Sequence, residues 1–127
     1  MLIDYQDSRS IYEQITEQYK KLILTGAILP EEQLPSVRAL AVELSTNPNT
    51  VQKAYTELER QGFIYTVKGR GAFAAKSDNL RHARKEEIID AMLALVYEAQ
   101  ELGMNRKEMR TALLSRMEGD EKEGKDD

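Results

Sequence analysis

The side chains that could do chemistry in this chain are hydrogen-bonding and cationic, and they fall in two short stretches. In the first, Arg38 precedes a run containing Asn49, Thr50, Gln52 and Lys53; in the second, Lys68 and Arg70 alternate with Gly69 and Gly71. Groups of this kind donate to phosphate oxygens and read base edges without making or breaking a covalent bond. The inventory for catalysis is bare. There is no Cys, and the single His82 stands between Arg81 and Arg84 with no spaced set of imidazoles and carboxylates around it. Neither a thiol nucleophile nor a metal centre can be assembled from that. No enzymatic activity, metal or cofactor is expected.

The first stretch needs a rigid support, and its flanks supply one. Ser36 is a favoured N-cap, Pro35 keeps the preceding chain extended, and Val37, Leu40, Ala41 and Leu44 share one face at helical spacing. This predicts a short helix ending near Leu44. Asn47 then caps a second helix, Pro48 presets φ at its first position, and Val51, Ala54, Tyr55 and Leu58 carry the apolar stripe on to Gly62. Two helices joined by a tight turn form a helix-turn-helix, with the polar run near the start of its second helix and with Tyr55 and Leu58 in the core.

The second stretch sits on a hairpin. Residues 63–67 are aromatic and β-branched, residues 68–71 are a turn with two glycines, and residues 72–75 return. Glycines let the backbone approach a surface closely while Lys68 and Arg70 add charge, a combination suited to a DNA backbone or minor groove. By itself such a tip reads as an ordinary solvated turn; its position after a helix-turn-helix favours DNA. It is no nucleotide loop, because it opens no helix. Upstream, Ser8 or Ser10 can cap a helix to about Thr25, ended by Gly26, with Ile11, Ile15, Tyr19, Leu22 and Ile23 facing the core. Gln33 and Leu34 form at most a minimal strand beside the hairpin.

A net charge of −4 and a pI near 5.2 look wrong for a nucleic-acid binder. The distribution explains them. Residues 118–127 hold six acids and two bases, leaving residues 1–117 neutral, while residues 36–76 carry six bases against three acids, a local +3. Local sign governs a phosphate footprint.

Beyond a polar boundary at residues 77–80, Ile88, Ile89, Met92, Leu93, Leu95, Val96 and Leu102 lie on a long helix that Gly103 breaks. Asn105 and Glu108 have the spacing of a capping box and open another helix, with Met109, Leu113, Leu114 and Met117 on its inner side. These faces can fold back on their own domain or meet a second copy of the chain; the breadth of the first arc favours a symmetric dimer. Residues 118–127 contain no apolar side chain and are expected to be disordered.

The run from residue 34 to 75 contains Leu-Pro-Ser-Val-Arg, Asn-Thr-Val-Gln-Lys-Ala-Tyr, Leu-Glu-Arg-Gln-Gly-Phe-Ile and Gly-Arg-Gly-Ala-Phe in order. It resembles the winged-helix DNA-binding domain of the GntR family of bacterial transcription regulators, and the likeness reaches back through Ile11 and Tyr12. With only a short helical segment after the wing, the chain is most similar to the small YtrA-type branch. The resemblance implies that Ser36, Arg38, Asn49 and Thr50 touch DNA and that residues 69–71 form the wing. Pro48 and Ala72 depart from the family pattern, so no contact is carried over at either position.

The expectation is a mainly α chain with one β-hairpin: a winged helix-turn-helix over residues 1–77, a two-helix dimerisation segment over 78–117 and a tail over 118–127. Its partners would be double-stranded DNA and a second copy of itself, and its function that of a homodimeric repressor on an inverted-repeat operator. The alternative is a winged helix kept only for protein interaction. The 127-residue chain leaves little room for a drug-sized pocket, so any small-molecule effector would bind between helices or at the dimer contact. No stretch is long enough to span a bilayer and no signal region opens the chain, which predicts a cytoplasmic protein.

Overall fold

The computed structural model of the chain describes residues 1–124, in the order α1 Ile11–Leu24, α2 Val37–Glu43, α3 Pro48–Arg60, β1 Ile64–Val67, β2 Gly71–Ala74, α4 Asp78–Glu101 and α5 Arg106–Gly124. The chain divides into two compact units, Met1–His82 and Ala83–Asp127.

In the first unit each helix start is set by a side chain that accepts an orphan backbone N–H. Ser10, not Ser8, caps α1 by accepting from Glu13 N–H, Ser36 caps α2 by accepting from Ala39 N–H, and Asn47 caps α3 by accepting from Asn49 N–H. The apolar stripes then meet. Ile15 and Ile23 of α1, Leu40 of α2, and Val51 and Leu58 of α3 are fully buried, and Tyr19 packs edge-on against Tyr55 with ring centres 5.9 Å apart. Gly62, at φ +83°, ends α3 in a backbone conformation that a side chain would strain, and turns the chain into β1.

β1 and β2 pair antiparallel with Ile64 opposite Ala74 and Val67 opposite Gly71. Outside the hairpin, Gln33 bridges to Phe73, so the minimal strand expected at residues 33–34 is present. The N-terminal residues strap the helices together: Gln14, almost wholly buried, bonds Asp4 N–H at 2.9 Å and Asp4 carbonyl at 2.8 Å, and the Tyr5 hydroxyl donates to Leu44 carbonyl at the end of α2.

Two boundaries differ from the sequence expectation. Residues 77–80 read as a polar boundary with a helical segment from residue 78, and α4 does begin at Asp78, but the first unit continues past that boundary to His82. Leu80 packs on the core, and the Arg81 guanidinium donates to Leu24 carbonyl at 2.9 Å, occupying a free acceptor at the C-terminal end of α1. The second difference is the tail: α5 runs through Gly124, where disorder was expected from residue 118. Glutamate and lysine are good helix formers, so a segment lacking apolar residues still extends a helix already nucleated. Residues 125–127 of the expected tail lie outside the described residues.

In the second unit, Asn105 caps α5, accepting from Glu108 N–H at 2.8 Å and donating its side-chain amide to Glu108 carboxylate at 2.9 Å. Met109 is buried. Ile88, Ile89, Met92, Leu93, Leu95, Leu102, Leu113, Leu114 and Met117 are exposed on the single chain, and Val96 is half-buried.

Candidate nucleic-acid interface

The recognition helix presents a polar surface because its apolar stripe is taken up by the core. On α3, Val51, Ala54, Tyr55 and Leu58 face inward. Asn49, Gln52 and Lys53 are left exposed and Thr50 half-buried. Gln52 is lightly tied, its amide donating to Thr56 hydroxyl at 3.3 Å, and the Lys53 ammonium lies 4.3 Å from the centre of the Tyr12 ring. The ring attracts the cation without neutralising it, so its charge stays available. Arg38 is exposed on α2. Ser36 accepts from Ala39 N–H at 3.1 Å through one oxygen lone pair, which leaves its hydroxyl hydrogen free to donate.

The chain entering α2 is tied to α3 by one hydrogen bond: the Tyr55 hydroxyl donates to Pro35 carbonyl at 2.7 Å. Burial raises the Tyr55 phenol above its ordinary value, and the Tyr19 phenol likewise. Both rings therefore stay neutral in the core.

At the hairpin tip Lys68, Gly69, Arg70 and Gly71 are all exposed, and Arg70 N–H closes the turn on Val67 carbonyl at 2.9 Å. Of the six cations in residues 36–76, Arg60 is neutralised: it bonds Glu57 at 2.8 Å and, with Gln61 also donating, holds that carboxyl at about 2. Arg38, Lys53, Lys68 and Arg70 have no carboxylate partner among the described residues. Cations without a carboxylate partner among the described residues therefore stand on α2, α3 and the hairpin tip, as they also do at Lys20 and Lys21 of α1 and at Lys76.

All ten residues expected to touch DNA lie in this unit, and the apolar residues expected to pair copies of the chain belong to the other, with α4 spanning the boundary. Sequence reasoning missed three supporting side chains: Tyr12 beneath Lys53, Tyr55 beyond its ring, and Gln33. Tyr12 carries a faint signal, since it falls off the Ile11, Ile15 stripe; the polar bonds of Tyr55 and Gln33 span 20 and 37 residues and leave no local trace. Among the described residues no group of three or more His, Cys, Asp or Glu could hold a metal ion, and no helix is long and apolar enough to cross a membrane.

A helix-turn-helix followed by a β-hairpin, with cations on α2, α3 and the tip, defines a winged helix-turn-helix of the DNA-binding class. The family model for bacterial regulatory proteins, gntR family, matches residues 11–74, and the chain belongs to the GntR family, in its short YtrA-type branch. It is 45% identical over 102 residues to the HTH-type transcriptional repressor YtrA of Bacillus subtilis (strain 168), covering 72% of this chain and 78% of that one. A transcriptional regulator from Oenococcus oeni has a similar structure, with a TM-score of 0.78 and 28% identity over 92% of this chain and 97% of its own. AraR(DBD), solved in complex with operator ORE1, is similar with a TM-score of 0.51 and 30% identity, covering 58% of this chain and 90% of that one.

Proposed function

We propose that the chain is a homodimeric, sequence-specific DNA-binding repressor acting in the cytoplasm. The observation that carries this reading is the set of exposed cations, Arg38, Lys53, Lys68 and Arg70, without carboxylate partners among the described residues, on a winged helix-turn-helix. In this reading α3 enters the major groove and offers Asn49, Thr50, Gln52 and Lys53 to base edges and phosphates. Arg38 approaches from α2, and Ser36 donates its free hydroxyl hydrogen to a phosphate. The wing lies on the backbone, with Gly69 and Gly71 permitting close approach and Lys68 and Arg70 neutralising charge. The repressor named YtrA and the operator complex of AraR(DBD) support the same assignment.

The dimer rests on the second unit. Ile88, Ile89, Met92, Leu93, Leu95, Leu102, Leu113, Leu114 and Met117 are exposed there on one chain, beside half-buried Val96 and buried Met109, and exposed apolar area of that kind is covered in a stable regulator. A second copy would cover it isologously and present two recognition helices to an inverted repeat with half-sites about 34–36 Å apart or a multiple of that. Selection of bound duplexes from random DNA tests the whole reading. An inverted repeat should be enriched, and its affinity should fall with salt at a slope of about −0.9 per phosphate contacted. Equal, weak affinity for every duplex would sink the reading and leave a winged helix that binds protein.

A further inference from the structure

The wing tip is held from outside the hairpin. Residues 31–34 run beside β2: Glu31 N–H donates to Ala74 carbonyl at 2.7 Å, Ala74 N–H to Glu32 carbonyl at 2.9 Å, and Leu34 N–H to Ala72 carbonyl at 2.8 Å. From this edge the Gln33 side chain reaches the turn, and its amide donates to Arg70 carbonyl at 2.7 Å. The contact depends on Gly71. A Cβ there would stand 3.0 Å from the Gln33 amide nitrogen, and the residue's φ of +117° excludes side chains on backbone grounds as well. With Arg70 N–H bonded to Val67 carbonyl and its carbonyl bonded to Gln33, only the guanidinium of that residue is left without a partner among the described residues.

The same edge leads straight to the recognition helix. Leu34 is buried in the core, and the carbonyl of the next residue, Pro35, accepts from the Tyr55 hydroxyl of α3 at 2.7 Å. Three consecutive residues thus join the wing tip, the core and α3.

We infer that Gln33 is a positioning residue of the wing: its side-chain amide fixes the backbone at Arg70 and Gly71 relative to an edge that α3 also holds, so that Arg70 meets DNA from a preset place. This rests on the DNA-binding reading above. A two-stranded hairpin is marginal alone and glycines widen the freedom of its tip, so an untethered tip would have to be ordered at the moment of binding. The tether moves that ordering into folding.

Gln33→Met tests it, keeping length and shape while removing the donor. In the DNA-free protein, backbone relaxation at Gly69, Arg70 and Gly71 should shift toward order parameters below about 0.6, with the thermal midpoint of the winged unit unchanged. Gln33→Lys, which retains a donor on an arm of similar reach, should restore the order. Because the bond is exposed and water competes for it, Gln33→Met should weaken binding to the selected duplex by about 2–5-fold. Arg70→Ala should then lose less affinity in the Gln33→Met background than in the wild type. Wing-tip order parameters unmoved by Gln33→Met would overturn the inference. So would fully independent effects of the two substitutions, which would mean that Gln33 acts on DNA by itself. The underlying reading fails differently: a wild-type chain that binds no duplex would remove the role in DNA contact whatever the relaxation shows.

Discussion

Tyr55 does two things that phenylalanine could not do together. Its ring fills the core against Tyr19, and its hydroxyl holds Pro35 carbonyl at the entrance to α2. Tyr55→Phe keeps the first and abandons the second, leaving an acceptor unpaired, and should destabilise the protein by about 1 kcal/mol. The same residue predicts alkaline behaviour. Burial raises both phenols above the ordinary 10.0. An unfolded chain releases these protons near pH 10 while the folded chain retains them, so their contribution is complete below that pH and declines above it. The decline should be about 1.4 kcal/mol per pH unit for each tyrosine until the folded value is reached. Urea midpoints from pH 8 to 11 check this, and a slope in Tyr55→Phe as steep as in the wild type would refute it. The exposed cations should separate by role. Arg38→Ala should cost roughly 1–3 kcal/mol and relax preference at one base position if the guanidinium is bidentate to guanine. Lys68→Ala should weaken all sequences alike and reduce the salt slope by about 1. Affinity unchanged in both variants would remove α2 and the wing from the interface.

At the scale of elements, what could be read in the sequence was what is encoded locally. Ser36 and Asn47 announce α2 and α3 because a cap acts on backbone two or three residues away. The wing is equally plain, since β-branched and aromatic residues on one side of a two-glycine turn leave few other folds. The failures came where a distant partner or a bare propensity decides. The first unit read as ending at residue 77 because the contact that carries it on, Arg81 to Leu24 carbonyl, reaches 57 residues back. Residues 118–124 read as disordered because no apolar side chain anchors them, though their three glutamates and one lysine favour helix. The candidate site followed the same rule: the outward cations were legible from composition, and the polar bonds that orient their supports were not. The cap of α2 offers a test at this scale, because Ser36 serves the helix and, in the proposed function, the phosphate. Ser36→Ala should lower stability by about 0.5–2 kcal/mol and weaken binding. Ser36→Asp should keep the cap, and hence the stability, while its negative charge repels DNA. If Ser36→Asp bound the selected duplex as tightly as the wild type, Ser36 would be a cap alone.

For the whole molecule, the division at His82 and the location of exposed apolar side chains set the decisive experiment. The unit formed by Met1–His82 holds the main core and the cations Arg38, Lys53, Lys68 and Arg70, whereas Leu95, Leu102 and Met117 of the other unit are 65%, 83% and 62% exposed on a single chain. Fully burying one such side chain is worth roughly 1.5–3 kcal/mol, so a second copy covering several of them is a sufficient driving force for association. A fragment of residues 1–82 should therefore fold and sediment as a monomer, and the full chain as a dimer. A fragment of residues 1–77 should melt lower, since it lacks Leu80 on the core and the Arg81 bond to Leu24 carbonyl. Joining two half-site contacts makes the second effectively intramolecular, which can raise affinity roughly 10²–10⁴-fold with no new contact to DNA. The 1–82 fragment should lose that factor on the full inverted repeat yet match the intact chain on a single half-site. Leu95→Glu in the full chain supplies the same test without truncation: a charge placed in the contact should shift the protein to monomer and lower affinity for the repeat, leaving the melting of the winged unit in place. Were the 1–82 fragment to remain dimeric, or to bind the repeat as tightly as the intact chain, pairing would have to lie in the winged unit or be irrelevant to binding, and residues 83–117 would need another role.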